Sequence, residues 1–354
     1  MKIQKAVAII ISTVMVASLA ACSGGSTAQT TAAQAGSETT AAAAATGETL
    51  ELQAGHVLTE DSAYHIALTG WADEVNQATD GRIKINVFAN SVLGSERDMI
   101  ESLQNGTLDI TLPNSAPMAN FTDAFKVFDL PFLFQTPEEA YAVIDSEIGD
   151  GMLAQLDAIG IKGLSLWENG FRYVANNKKD VYTPDDLKGL KIRTMENEIH
   201  MASFRSWGAD ATAMAWGEVY TGVQQGTIDG LENPMGPIYQ NALHEVAPHI
   251  TMTGHFYCPA PLLVSKATWE KISPEDQAIM IELANKYKTT ERELCAQYDK
   301  DYADKMVEEG CTVITADQID KSVWREAAQS VYDSYQDQIG ADLINKIKEV
   351  TEKK

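Results

Sequence analysis

From Leu50 onward the chain alternates short apolar runs with amphipathic stretches, and this alternation constrains the fold more than any other feature of its 354 residues. A short apolar run buries its face by pairing in a sheet, and the amphipathic stretches between must then cover that sheet. The result is an α/β architecture with a largely parallel sheet. "LELQAGHV" reads as a strand, "SAYHIALTGWADEVNQAT" as a helix, and "RIKINVFA" as a strand with Ile83, Ile85 and Val87 in alternation. Ser95 has the form of an N-cap, with Asp98 three residues on, Met99, Ile100 and Leu103 on one face, and Gly106 as the stop. "TLDITL" follows as a strand. Thr136-Pro137, Thr183-Pro184 and Ser273-Pro274 each place a capping residue before a proline at the first helical position.

A second block, "IKGLSLWENGFRYVANN", "GLKIRT", a helix from about Glu198 to Trp207, "DATAMA", a helix through "GEVYTGVQQG" and the strand "TIDGLENP", repeats the alternation without repeating the sequence. Two such blocks joined by crossing strands predict two lobes. From Ser273 a helical pattern continues to about Glu309, with Met280, Leu283, Tyr287, Leu294, Tyr298, Tyr302 and Met306 on its apolar positions. Such a helix is roughly 50 Å long, more than one small lobe needs, which makes it a candidate backbone spanning both.

The opening "MKIQKAVAIIISTVMVASLAAC" has two lysines, an apolar run and then small residues, the pattern of a secretory signal rather than a lasting membrane span. "LAAC", Leu19 to Cys22, resembles the lipobox of bacterial lipoproteins, in which the cysteine is lipidated; the other reading is a chance cysteine in an ordinary secretory peptide. The Ala, Thr, Ser and Gly that follow have little to bury and read as a flexible linker spanning about 25 to 30 Å. Charge narrows the partners. With 27 basic and 50 acidic residues, a net charge of −23, the chain lacks the basic footprint that nucleic acid or an anionic lipid surface requires. Beyond Cys22 it carries Cys258, Cys295 and Cys311, an odd number that excludes a complete disulfide framework.

No phosphate-binding loop, dinucleotide fingerprint, nucleophile elbow or zinc-protease helix is present, so the sequence shows no carrier of catalysis and implies no cofactor. "HEVAPH" supplies His244, Glu245 and His249, but the histidines are five apart and Pro248 interrupts the helix, so a surface turn is the better reading than a metal site. The cations at strand ends are more informative. Arg172 in "NGFRYVANN" and Arg193 in "LKIRT" sit in runs otherwise fit for burial, where a guanidinium must be matched. An internal carboxylate is the more usual match, and a ligand is the other; the position of Arg193 at the carboxyl end of a strand raises the ligand reading in its case and leaves both open. Trp216 after "DATAMA" reads more often as core packing and Asn233 before Pro234 as a turn residue; at strand ends of one block, both also stand as further walls of the same cleft.

The run from Asn169 to Pro234, with "ANSVLGSERDMIESLQNGTLDIT", "FDLPFLF" and "TGHFYCPAPLLVSKATWEKISPEDQ", resembles the substrate-binding proteins of TRAP transporters, the tripartite ATP-independent periplasmic family called DctP-like. The resemblance implies a two-lobed, periplasmic-binding-protein-like receptor that closes over a small organic acid, a sugar acid such as a uronate or a C4-dicarboxylate. It delivers the acid to membrane permease subunits driven by an ion gradient; the alternative is a ligand-presenting subunit of a sensory system using the same cleft. It also implies that Arg193 clamps the ligand carboxylate, Arg172 makes a further contact, Trp216 packs over the ligand and Asn233 bonds near the carboxylate. His56, Glu96 and Asn114 fall where the first lobe contributes contacts that vary with substrate. The expected organisation is a signal peptide over 1–21 and lipidated Cys22 with a linker over 22–48. Lobe I then covers 49–169 plus about 259–298, and lobe II covers 170–258 plus about 299–354.

Overall fold

The computed structural model describes residues 49–352; the signal segment, Cys22 and the linker lie outside the described residues. Its strands are β1 (Leu50–Gly55), β2 (Ile83–Phe88), β3 (Ile110–Thr111), β4 (Ile161–Phe171), β5 (Tyr173–Asn176), β6 (Lys191–Thr194), β7 (Asp210–Ala213), β8 (Gly230–Asn233), β9 (His249–Thr251), β10 (Tyr257–Ser265) and β11 (Thr312–Ile314). They form two sheets, one in the order β2-β1-β3-β10-β4 and one in the order β11-β9-β5-β8-β6-β7. This is the two-lobed α/β architecture expected, with one difference: the sheets are mixed rather than largely parallel. β1, β2 and β3 run parallel, as do β6, β7 and β8, whereas β10 pairs antiparallel with β3 and β4, and β5 antiparallel with β8 and β9. The antiparallel pairs arise where the chain crosses between the sheets, at Arg172 between β4 and β5 and again just before β10.

Local chemistry explains the elements. Ser95 and Asp98 form the capping box of helix Glu96–Asn105, which buries Met99, Ile100 and Leu103 and stops at Gly106 in the left-handed conformation (φ 70°). Thr136 and Ser273 cap helices Pro137–Ile144 and Pro274–Glu308, each with proline in the first turn. At Thr183-Pro184 the same signal yields only the short 3₁₀ turn Pro184–Leu187. β10 is buried along its whole length although it carries Pro259 and Pro261. Its register against β4 shifts between Cys258 and Pro259 and again between Leu262 and Leu263, which accommodates residues without an N–H in a central strand.

Helix Pro274–Glu308 has 35 residues and spans both sheets' cores. Met280, Leu283 and Ala284 pack with the first sheet, and Tyr302 and Met306 with the second. The indoles of Trp71 and Trp167 donate to the carbonyls of Met280 and Ala284 at 3.1 and 2.9 Å, anchoring the helix to the first sheet. The C-terminal helices correct the expected placement of residues 299–354 with the second lobe. Val331, Ile339, Ile344 and Ile347 bury into the first sheet's core, and the Tyr332 hydroxyl donates to the Pro131 carbonyl at 2.9 Å. Their apolar faces find cover on the first sheet's side, so the chain crosses back. No helix among the described residues is long and apolar enough to cross a membrane. Cys258, Cys295 and Cys311 are unbridged.

Candidate functional site

The carboxyl ends of strands from both sheets converge on one small pocket. Strand carboxyl ends are where open α/β sheets place ligands. From the first sheet's side come Glu96 at the start of its helix and Asn114 just beyond β3, with Tyr64 of helix Ala63–Ala78 beside them. From the second come Arg172, Arg193 on β6, Trp216, and Asn233 at the end of β8.

The two arginines differ in what holds them. Arg172 is locked within the protein: its Nε donates to Glu232 Oε2, and its Nη2 donates to Glu232 Oε1 at 2.9 Å and to the Glu232 carbonyl at 2.7 Å. Its Nη1 donates to Asn169 Oδ1 at 2.7 Å. The partner lies on β8, directly across from Val174 in the antiparallel pair β5–β8. Burial alone would raise the Glu232 carboxyl, but the Arg172 charge and a hydrogen bond from His255 hold it well below the usual carboxylate range. Burial also pushes His255 down to about 4, so a neutral imidazole backs the ion pair near neutral pH.

Arg193 has no such partner. It is 2% exposed, and its Nε and Nη2 both donate to one acceptor, the Met214 carbonyl, at 2.8 and 2.6 Å. Its Nη1 has no hydrogen-bond partner. Burial lowers this guanidinium to about 10; the Glu232 and Glu96 charges oppose the shift and Arg172 adds to it. Trp216 stands with its ring centroid 5.8 Å from the guanidinium carbon.

Two further polar atoms in the pocket wall lack partners, Asn233 Oδ1 and the Tyr64 hydroxyl. Glu96 accepts the Asn114 N–H at 2.7 Å, and burial raises its carboxyl against that bond and the two arginines. Asn114 also uses Oδ1 to cap the short helix Ser115–Met118. The wall therefore offers a cationic donor in Arg193, a carboxylate acceptor in Glu96, and neutral groups that suit hydroxyls.

Of the residues singled out in the sequence, the structure brings Arg172, Arg193, Trp216, Asn233, Glu96 and Asn114 to this pocket. His56 is a correction. It is buried outside the pocket lining with Nε2 3.0 Å from His65 Nδ1 and its ring edge-on to Tyr64, and burial with the neighbouring His65 lowers it to about 3. Helix Ala63–Ala78 begins close enough after β1 that His65 captures the imidazole. His244 and His249 do not meet: the first pairs with Glu309 at 2.9 Å and the second with Asp180 at 2.6 Å. Tyr64, Asn169, Met195 and Glu232 were not singled out. A helical tyrosine facing a pocket has the same periodicity as one facing the core, but an acid between Leu231 and Asn233 in a buried strand was a readable signal for the partner of Arg172.

Residues 54–338 match the family described as bacterial extracellular solute-binding protein, family 7, DctP. The chain belongs to this family. Among its relatives, the 2,3-diketo-L-gulonate-binding periplasmic protein YiaO of Escherichia coli is 33% identical over 84% of this chain and 92% of its own. Two crystal structures share the fold. A TRAP periplasmic solute-binding protein from a Polaromonas species bound to D-erythronate has a TM-score of 0.82 and 36% identity, over 85% of this chain and 98% of that one. The sugar-acid-binding protein of Advenella mimigardefordensis in complex with galactonate has a TM-score of 0.83 and 30% identity, over 86% and 99%. The chain is thus a solute-binding protein of the DctP family.

Proposed function

We propose that this DctP-family protein holds a hydroxylated monocarboxylate, a sugar acid of the uronate or aldonate type, and delivers it to the ion-gradient-driven permease of a TRAP transporter. The observation that carries the reading is the buried Arg193, which among the described residues has no ion pair and keeps Nη1 without a partner. A carboxylate ligand supplies the missing acceptor, in the fork geometry that guanidinium favours. Asn233 and the remaining edge of Arg172 stand near the same carboxylate, while Trp216 packs over the ligand body. Glu96, Asn114 and the Tyr64 hydroxyl take its hydroxyl groups.

Charge separates a sugar acid from a C4-dicarboxylate. Arg172 is neutralised by Glu232, so Arg193 is the one unmatched cation in the wall, and a second ligand carboxylate would meet Glu96 instead. The erythronate and galactonate held by the two solved relatives agree with a hydroxylated monoacid. A thermal-shift screen followed by calorimetry tests the choice. Glucuronate, galacturonate, galactonate or erythronate should stabilise the protein more than succinate or malate does; the reverse order overturns it.

The reading includes an anchor and two moving halves. We assign lipidation to Cys22, so that the receptor is tethered outside the cytoplasmic membrane. Labelling with an alkynyl fatty acid should mark the protein and be lost in Cys22→Ala. We assign ligand closure to rotation of residues 49–169 and 259–298 against 170–258 and the chain from 299 to about 328, with the C-terminal helices moving with the first half. Small-angle scattering should show compaction on ligand addition.

A further inference from the structure

A second small cavity adjoins the ligand pocket, its wall including Ser62, Pro237, Gln240, Cys295 and Asp299. The two cavities have three lining residues in common, Leu58, Tyr64 and Asn169. These three form the partition between them. Asn169 is fixed by Arg172 Nη1 at 2.7 Å, and Leu58 is a buried apolar side chain beside β1. Tyr64 is the largest side chain of the three. It is 2% exposed, and its hydroxyl has no hydrogen-bond partner in the protein. Tyr64 lines both cavities, and burial raises its phenol well above its ordinary value. A buried, unpartnered hydroxyl is unfavourable unless something bonds it.

We propose that Tyr64 is the specificity-determining residue that sets the length of the acid this receptor accepts: its ring closes the pocket against the second cavity, and its hydroxyl bonds the hydroxyl at the end of the ligand remote from the carboxylate. The inference rests on the sugar-acid reading of the pocket. With the ring in place a single sugar acid fits and a dimer does not. With the ring removed, the two cavities and the volume of the ring itself join into one space, bounded on the far side by apolar groups such as Ala63, Pro234 and Pro237 and by the polar Ser62, Gln240 and Asp299.

The test is a ladder of acids read by thermal shift and calorimetry: erythronate, galactonate, galacturonate and lactobionate, a two-sugar dimer with a single carboxylate, each against the wild type, Tyr64→Phe and Tyr64→Ala. The wild type should bind a single sugar acid and reject the dimer. Tyr64→Ala should bind the dimer at least tenfold more tightly than the wild type does. Tyr64→Phe keeps the wall, so it should still reject the dimer and should lose roughly two- to tenfold for the six-carbon acids, the loss of one neutral hydrogen bond, and little for erythronate. Should Tyr64→Ala fail to fold, Tyr64→Phe alone decides, and an unchanged affinity for every six-carbon acid then overturns the inference. An unchanged length limit in folded Tyr64→Ala, or a wild type that already takes the dimer, overturns it while leaving the ligand class intact. A wild type that binds no acid on the ladder overturns the ligand class and this inference with it.

Discussion

Replacing Arg193 by methionine separates ligand recognition from folding, because the structure predicts a small effect on stability and a large one on binding. The arginine side chain is 2% exposed and is held only by the Met214 carbonyl. Burial lowers its pKa from the ordinary guanidinium value to about 10, so the cation persists at pH 7 but carries a cost of order 3 kcal/mol, present in full at every pH below about 10. The hydrogen bonds to the Met214 carbonyl return about 1.5 to 3 kcal/mol of that. An unbranched methionine side chain would keep most of the volume, and the ligand-free variant should therefore unfold in urea within about 1 to 2 kcal/mol of the wild type. Binding should behave otherwise. Loss of one partner of a desolvated, hydrogen-bonded charge pair costs about 2 to 5 kcal/mol, or roughly 30-fold to several thousandfold in affinity. Arg193→Lys should recover only part of this, because an ammonium cannot hold the Met214 carbonyl and present a planar fork together. Calorimetry with the preferred sugar acid reads the affinity and urea titration reads the stability. A folded Arg193→Met variant that binds within threefold of the wild type would refute the assignment.

Three further outcomes follow from the same geometry. Glu232→Gln leaves Arg172 buried without its counter-ion and should lower stability by about 3 to 5 kcal/mol at pH 7, read as a lower urea midpoint. Because the Glu232 carboxyl is depressed in the folded state, its stabilising contribution is present above the unfolded carboxylate pKa and is lost as pH falls toward the folded one. Asp299, which accepts from the Tyr173 hydroxyl and the Met235 N–H, has the opposite sign, since burial raises it from 3.8 to about 7. It costs nothing well below pH 4 and destabilises progressively as pH rises to about 7, by about 4 kcal/mol at the upper end. Asp299→Asn should therefore be more stable than the wild type at pH 8, with a smaller gap at pH 5; a gap independent of pH would contradict the assignment. Trp216→Ala should weaken sugar-acid binding about five- to thirtyfold through lost stacking and lost contact with the Arg193 cation, with little change in melting temperature, since Trp216 is only half-buried.

What the sequence revealed depended on how locally each feature is determined. The capping box at Ser95 and the proline-led helices at Thr136 and Ser273 are settled within four residues, and each stands where the pattern placed it. The long helix was legible because 35 residues keep one phase. β10 was not, because Pro259 and Pro261 argue against a central strand and only pairing with β4 reveals the register shifts that admit them. The C-terminal helices have no reading in the sequence beyond their place in a lobe, and which core takes Val331 and Ile347 depends on the direction in which the chain crosses back.

At the site, residue types and strand ends brought Arg172 and Arg193 forward together, and only the fold distinguishes them. The partner of Arg172 lies 60 residues away on β8, while the isolation of Arg193 is an absence, which no spacing in the sequence expresses. His56 failed for a local reason that spacing also hides, the imidazole of His65 one turn into the next helix.

The most direct test is a crystal structure of the mature protein with the acid that stabilises it most in the thermal-shift screen. The account predicts the ligand carboxylate about 2.7 to 2.9 Å from Arg193 Nη1, with the ring or chain of the acid against Trp216 and its hydroxyls toward Glu96 and Tyr64. A carboxylate bound away from Arg193, with Nη1 satisfied by the protein itself, would contradict it.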